Sequence, residues 1–177
     1  SEDAGPTSTQ PSSTMATGPE RWPVPTIEGS TYVVPEDLGD ARPGDLLAVE
    51  ELAPVAQLGD AERHRVLYTS QDRDGRTVPV SGMVLVPRGT PPEGGWPVVS
   101  WGHGTTGVAD LCVPSLTDNL FYNEYAQEAS SLLRTGYAVV ATDYPGLGTP
   151  GMHSYLVGAD EANAVIDIVT AAHRIEP

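Results

Sequence analysis

The stretch "PVVSWGHGTTG", residues 97 to 107, carries a short apolar run into glycine, histidine, glycine and two threonines. Glycines at such a point let backbone N–H groups face open space, and donors presented that way hold the oxyanion that forms during acyl transfer. The turn over residues 102 to 107 is therefore a candidate for this chemistry. The same residues also suit a tight turn whose histidine is satisfied by hydrogen bonds to the backbone. A second stretch of the same form, "TDYPGLGTPG" over residues 142 to 151, brings Tyr144 and Gly146 to another glycine-rich turn. There Asp143 and Tyr144 suit loop organisation better than proton transfer.

Two patterns in these stretches mislead. Gly146, Gly148 and Gly151 echo a dinucleotide-binding fingerprint, but the third glycine falls at the wrong spacing and Pro145 and Pro150 interrupt the turn. "VVSWG", residues 98 to 102, echoes a nucleophile elbow, yet an elbow needs glycine where Val98 stands. Ser100 thus reads as a sheet residue. His64, His103, His153 and His173 show no H-x-H or H-x-x-x-H spacing that would pair them as metal ligands, and none is nominated as a general base. No cofactor and no metal are expected.

Composition narrows the field further. The chain has 177 residues, enough for one domain with a real core. Its 24 acidic residues outnumber 9 basic ones, giving a net charge of −15 that repels phosphate backbones, so nucleic acid is not an expected partner. Every basic residue is arginine, which removes a P-loop lysine, a Schiff-base lysine and a Ser-Lys dyad. The single Cys112 excludes a disulfide scaffold within this chain. No apolar run approaches the roughly 20 residues needed for a transmembrane segment.

The elements that must position these turns follow from pattern. Residues 1–20 are a Ser/Thr/Pro-rich stretch expected to be disordered, of a kind found after the cleavage site of exported proteins. Residues 21–60 read as an extended N-terminal arm on the domain edge, with regular structure starting near His64. Residues 64–87 give an antiparallel hairpin about the turn Asp72-Arg73-Asp74-Gly75, with Pro79 calling for an edge or a bulge. Pro97–Trp101 reads as a strand buried on both faces. Phe121, Tyr125, Ala129, Leu132 and Leu133 fall at helical spacing, ending near Thr135 with Gly136 at C′. Tyr137–Tyr144 is a further strand. A last helix opens near Asp160, with Ala162, Val165, Ile166, Val169 and Ala172 on its apolar face and Asn163, Asp167, Thr170 and Arg174 opposite.

In this order the motifs resemble the N-terminal half of an α/β-hydrolase fold: an antiparallel first hairpin, then parallel strands with crossover helices. More specifically, "PGDLLAVEEL" (43–52), "SWGHGTTG", "TDYPGLGTPG" and "HSYLVGADEANAVIDIV" (153–169) are similar to secreted bacterial lipases and esterases related to the secretory lipase family. The resemblance covers roughly residues 40 to 177. It implies that His103 and Gly104 shape an oxyanion-hole turn, that the Thr105 N–H is its donor, and that Tyr144 and Gly146 border the acyl or alcohol pocket. It also implies a nucleophile serine on an elbow after the next strand, with the acid and histidine later still. No such elbow occurs here, so the C-terminal half of the same hydrolase is the expected partner. The expected substrate is a small-molecule or lipid ester, and the expected location is secreted or cell-surface. Residues 61–177 would then be the first half of the hydrolase domain. A non-catalytic binding module on the same layout remains the alternative, as does a serine peptidase or acyltransferase. A free-standing module would need cover for the sheet edge left by the fourth strand, Tyr137–Tyr144.

Overall fold

The computed structural model describes residues 30–117 and 123–175. The Ser/Thr/Pro-rich stretch, Phe121 and Pro177 lie outside the described residues. Five strands form one sheet: β1 (Leu46–Leu52), β2 (Glu62–Gln71), β3 (Thr77–Val86), β4 (Val98–Trp101) and β5 (Ala138–Thr142). Their spatial order is β1-β2-β3-β5-β4. β1, β2, β3 and β5 pair antiparallel in turn, whereas β4 pairs with β5 in parallel across helix α1 (Asn123–Arg134). Helix α2 (Gly158–Ala172) follows β5.

The hairpin forms where its turn residues require it. Asp72 Oδ1 accepts from the N–H groups of Asp74 and Arg76, an Asx turn that closes β2 onto β3. Pro79 costs the ladder nothing, for a local reason. It stands opposite Thr69, whose N–H and carbonyl both turn the other way, to Asp45 and Gly44. That makes the pair a non-hydrogen-bonded one, so the missing proline N–H faces away from β2. On the other side β5 pairs with β3 only from Gly82 to Leu85.

Side chains of the central strands alternate between two cores, one on each face. Met83, Leu85 and Val139 pack with Ala126, Ala129 and Leu133 of α1, while Val80, Val84 and Val140 pack with Ala164, Ile168 and Ala171 of α2. Helices on both faces explain why β5 is buried along its whole length. Helix α1 ends in a Schellman motif: the Tyr137 N–H donates to Leu132 O and the Gly136 N–H to Leu133 O, with Gly136 at φ +84°.

Three features differ from the sequence reading. Regular structure begins well before His64, because Leu46–Leu52 pairs with β2 as an edge strand. The run "LLAVEEL" lacks clean alternation, but an edge strand needs only one partner, and Glu50 meets the directly opposed Arg65 at 2.9 Å. The face of α2 is rotated: Asp160, Ala164, Ile168 and Ala171 are the buried residues, whereas Ile166 is 65% exposed. The stripe read as polar is only partly solvated: Thr170 and Arg174 are exposed, but Asn163 bonds Gln71 O, Asp167 accepts from Ser70 Oγ, and Arg174 pairs with Asp45. Small alanines let the helix settle close to the sheet, and the polar stripe then lands on β2 and the segment before β1. Finally, the Tyr137–Tyr144 strand is no edge. As β5 it lies between β3 and β4, so among the described residues the open parallel edge belongs to β4, whose residues are only half-buried.

Candidate functional site

Because β4 and β5 are parallel neighbours, the loops after them leave the same side of the sheet, where open α/β folds gather ligands. The first loop carries Gly102–Gly107 and the second runs from Asp143 to Val157. They meet ring on ring: the His103 and Tyr144 centroids are 4.5 Å apart. His103 Nδ1 lies 2.6 Å from Gly104 O, and because a carbonyl can only accept, Nδ1–H is the donor. His103 Nε2 lies 3.3 Å from Asp143 O. Tyr144 Oη donates to His103 O at 3.2 Å, and Thr105 Oγ1 and Tyr155 Oη share a hydrogen bond at 3.2 Å. Burial and the nearby Glu161 raise the Tyr144 phenol above its ordinary range, so it remains a neutral donor.

The second loop is curled by left-handed backbone. Gly146 has φ +72°, and a Cβ there would lie 2.5 Å from the Met152 main chain, so no other residue fits. The Ser154 N–H donates to Pro145 O at 3.2 Å and His153 Nδ1–H donates to the same carbonyl at 3.1 Å, folding the loop back on itself. That return carries His153, Tyr155 and Leu156 over the first loop. Leu156 N–H is held by Glu161 Oε1 at 3.0 Å, at the start of α2.

Asp143 anchors the base of this arrangement. Its buried carboxylate accepts from Ser81 Oγ at 2.7 Å, from the Ser115 N–H at 2.9 Å and from Ser115 Oγ. Ser115 Oγ also meets Tyr32 Oη at 2.6 Å, and Arg65 Nε donates to Ser115 O at 3.0 Å. Desolvation pushes the Asp143 carboxyl up, against the pull of the Ser115 and Ser81 hydrogen bonds and of His103. Its role is to hold the 114–116 turn and the second loop to one point, as its position after β5 suggests.

Between the loops lies an open cleft lined among others by His103, Gly104, Thr105, Tyr144, His153 and Tyr155. Beside it, Trp101, Pro114, Tyr125, Ala129 and Val139 line a small, mainly apolar pocket that also touches His103. Ser100 is elsewhere engaged: from within β4 its Oγ donates to Val165 O at 2.6 Å. Among the described residues no group of three or more His, Cys, Asp or Glu could hold a metal ion. No helix among them is long and apolar enough to cross a membrane.

Of the residues singled out by sequence, His103, Gly104, Thr105 and Tyr144 come together at this cleft. Gly146 does not line it. It lies on a different groove with Asp72, Arg73 and Asp160, and acts on the cleft by setting the path of the loop. Thr106, Tyr155, Leu156 and Glu161 also line the cleft and were not singled out. The available signal was the crowding of glycine and proline before His153, which forces a reversal without saying where it lands.

No protein-family model matches the chain, and no curated protein matches it. Solved structures do. The chain is similar to lipase A of Candida antarctica in its closed state, with a TM-score of 0.66 at 17% identity, covering 86% of this chain and 37% of that one. It is also similar to the rice cell wall degrading esterase LipA of Xanthomonas oryzae, with a TM-score of 0.59 at 27% identity, covering 74% of this chain and 37% of that one. The sheet with its two glycine-rich loops thus has an α/β-hydrolase-like fold similar to that of these lipases and esterases, and this chain spans 37% of the length of each of these two.

Proposed function

We propose that this chain supplies the oxyanion-hole turn of a serine carboxylic-ester hydrolase, with the backbone N–H of Thr105 as donor. The nucleophile serine, the acid and the histidine come from sequence beyond Pro177, in the order given by the resemblance, and residues 61–177 are the first half of that domain. One observation carries the reading. At the carboxyl end of β4 the Gly104 carbonyl is held by the His103 ring, and in a planar trans peptide the next N–H, that of Thr105, points opposite to it.

In the reaction the serine Oγ adds to the ester carbonyl carbon while its proton passes to the histidine. The carbonyl π pair moves onto oxygen, where Thr105 N–H meets the developing charge. Collapse of the intermediate expels the alcohol, which takes the proton from the histidine, and water then repeats the sequence to release the acid. Tyr144 borders the pocket for the acyl or alcohol group, and the substrate is a small-molecule or lipid ester. The Ser/Thr/Pro-rich composition of residues 1–20, of a kind found after the cleavage site of exported proteins, supports a secreted or cell-surface protein.

The test is hydrolysis of a short p-nitrophenyl ester by the protein expressed from its full reading frame, beside Thr105→Pro. Loss of the donor is expected to reduce turnover about 10²- to 10³-fold. Full turnover in that variant would overturn the assignment of Thr105, and a folded full-length protein without turnover would favour a binding module.

A further inference from the structure

We infer that Tyr144 is a positioning residue of the oxyanion turn, fixing the peptide that precedes the Thr105 donor as well as bordering the cleft. The inference rests on the function proposed above. Three features of the geometry support it. First, Tyr144 is a bulky residue at φ +70°, a region that side chains with a Cβ rarely enter, and such outliers persist where their surroundings over-determine them. The surroundings are on hand: the Tyr144 N–H donates to Thr142 Oγ1 at 3.1 Å, the ring lies on His103, and the hydroxyl donates to His103 O at 3.2 Å.

Second, glycine at position 102 leaves the space that this hydroxyl occupies. A Cβ at Gly102 would stand 2.7 Å from Tyr144 Oη, nearer than real Cβ atoms come. Third, the two side-chain contacts act on consecutive peptides. Tyr144 holds the His103 carbonyl and the His103 ring holds the Gly104 carbonyl. Since each peptide is planar and trans, the N–H groups of Gly104 and Thr105 are turned away from those two acceptors. A glycine on either side of His103 would otherwise leave both peptides free to rotate. A donor whose direction is set before reaction needs no reorganisation as charge develops.

The experiment uses the full-length protein and compares wild type with Tyr144→Phe and Gly102→Ala, which break the same hydrogen bond from opposite sides. Either variant is expected to lower kcat for a p-nitrophenyl ester about tenfold, the kinetic equivalent of one net hydrogen bond, with KM unchanged. Affinity for an alkyl trifluoromethyl ketone, whose serine adduct carries an oxyanion, should fall by the same factor. Adding Gly102→Ala to Tyr144→Phe should cost nothing more, because the hydroxyl it would crowd is gone. A rise in KM with kcat intact, or additive losses, would overturn the inference in favour of a substrate wall. A second readout does not need turnover: the backbone amide signals of Gly104 and Thr105 should move and lose order in Tyr144→Phe. Unchanged amide signals would sink the positioning role even in an active enzyme. Shifted amides in a protein that hydrolyses no ester would uphold it as a device of the turn and sink the esterase reading instead.

Discussion

Replacing Tyr144 by glycine and, separately, by alanine isolates the backbone strain at this position. Both variants delete the ring and hydroxyl and so lose the same contacts to His103. They differ by one Cβ at φ +70°. A residue with a Cβ costs about 1–2 kcal/mol in the left-handed region, while glycine loses about 0.5–1 kcal/mol more conformational freedom on folding. The difference leaves Tyr144→Gly more stable than Tyr144→Ala by about 0.5–1 kcal/mol. For a slope of about 2 kcal/mol/M in urea, the midpoints should separate by about 0.3–0.5 M. A control makes the sign informative: at Ile166, exposed on α2, alanine should exceed glycine by about 1 kcal/mol, the ordinary helix preference. Urea unfolding of the four variants, read by fluorescence with turnover measured in parallel, decides it. Equal midpoints for the two Tyr144 variants, or alanine ahead, would show that no strain is stored there. Turnover should fall equally in both Tyr144 variants, because what they share is the missing phenol.

Three further outcomes follow from the geometry. Gly146→Ala would set a Cβ 2.5 Å from the main chain of Met152, where no side chain can yield, on a backbone already left-handed. It should destabilise the second loop by about 2–4 kcal/mol, seen as faster amide exchange at residues 152–156 and lower turnover. Ser100→Ala should lose about 1 kcal/mol in thermal or urea unfolding with its bond to Val165 O, yet keep full ester turnover, whereas a serine nucleophile would lose all of it. Asp143 has a folded-state carboxyl raised by burial, so the native state holds that proton more tightly than the unfolded chain. Its contribution to stability therefore falls as pH rises from about 3.9 to the raised value and stays low above it. Asp143→Asn removes this dependence, so wild-type stability minus variant stability, from urea unfolding across acidic pH, should decline with rising pH. A difference that grows with pH would contradict the burial argument.

Much of the layout could be read locally. The hairpin is encoded by Asp72 and Gly75, the end of α1 by Gly136, and the two glycine-rich turns by their place after apolar runs, since each of these signals acts within a few residues. The same locality made Ser100 legible as a strand residue, because Val98 denies it the elbow. Patterns that depend on partners elsewhere were harder. "LLAVEEL" could not announce an edge strand, because its pairing rests on Arg65 and its neighbours in β2. Nor could the α2 periodicity say which stripe faced inward, since apolar residues lie on two adjacent stripes and the close fit of Ala164 and Ala171 selected one.

Composition and spacing alone determined that this chain is an acidic α/β domain carrying two turns of glycine and polar residues at strand ends. Only the tertiary structure decided that β5 enters the sheet between β3 and β4, which sets the two turns side by side. It alone decided that Tyr144 locks His103 from the neighbouring loop while Gly146 stays outside the cleft, and that Tyr155 returns to meet Thr105. The physical reason is range: propensity and turn chemistry act between residues a few positions apart, whereas Tyr144 and His103 lie 41 residues apart and Tyr155 and Thr105 lie 50 apart. Contacts of that span exist only once the sheet has closed around both loops.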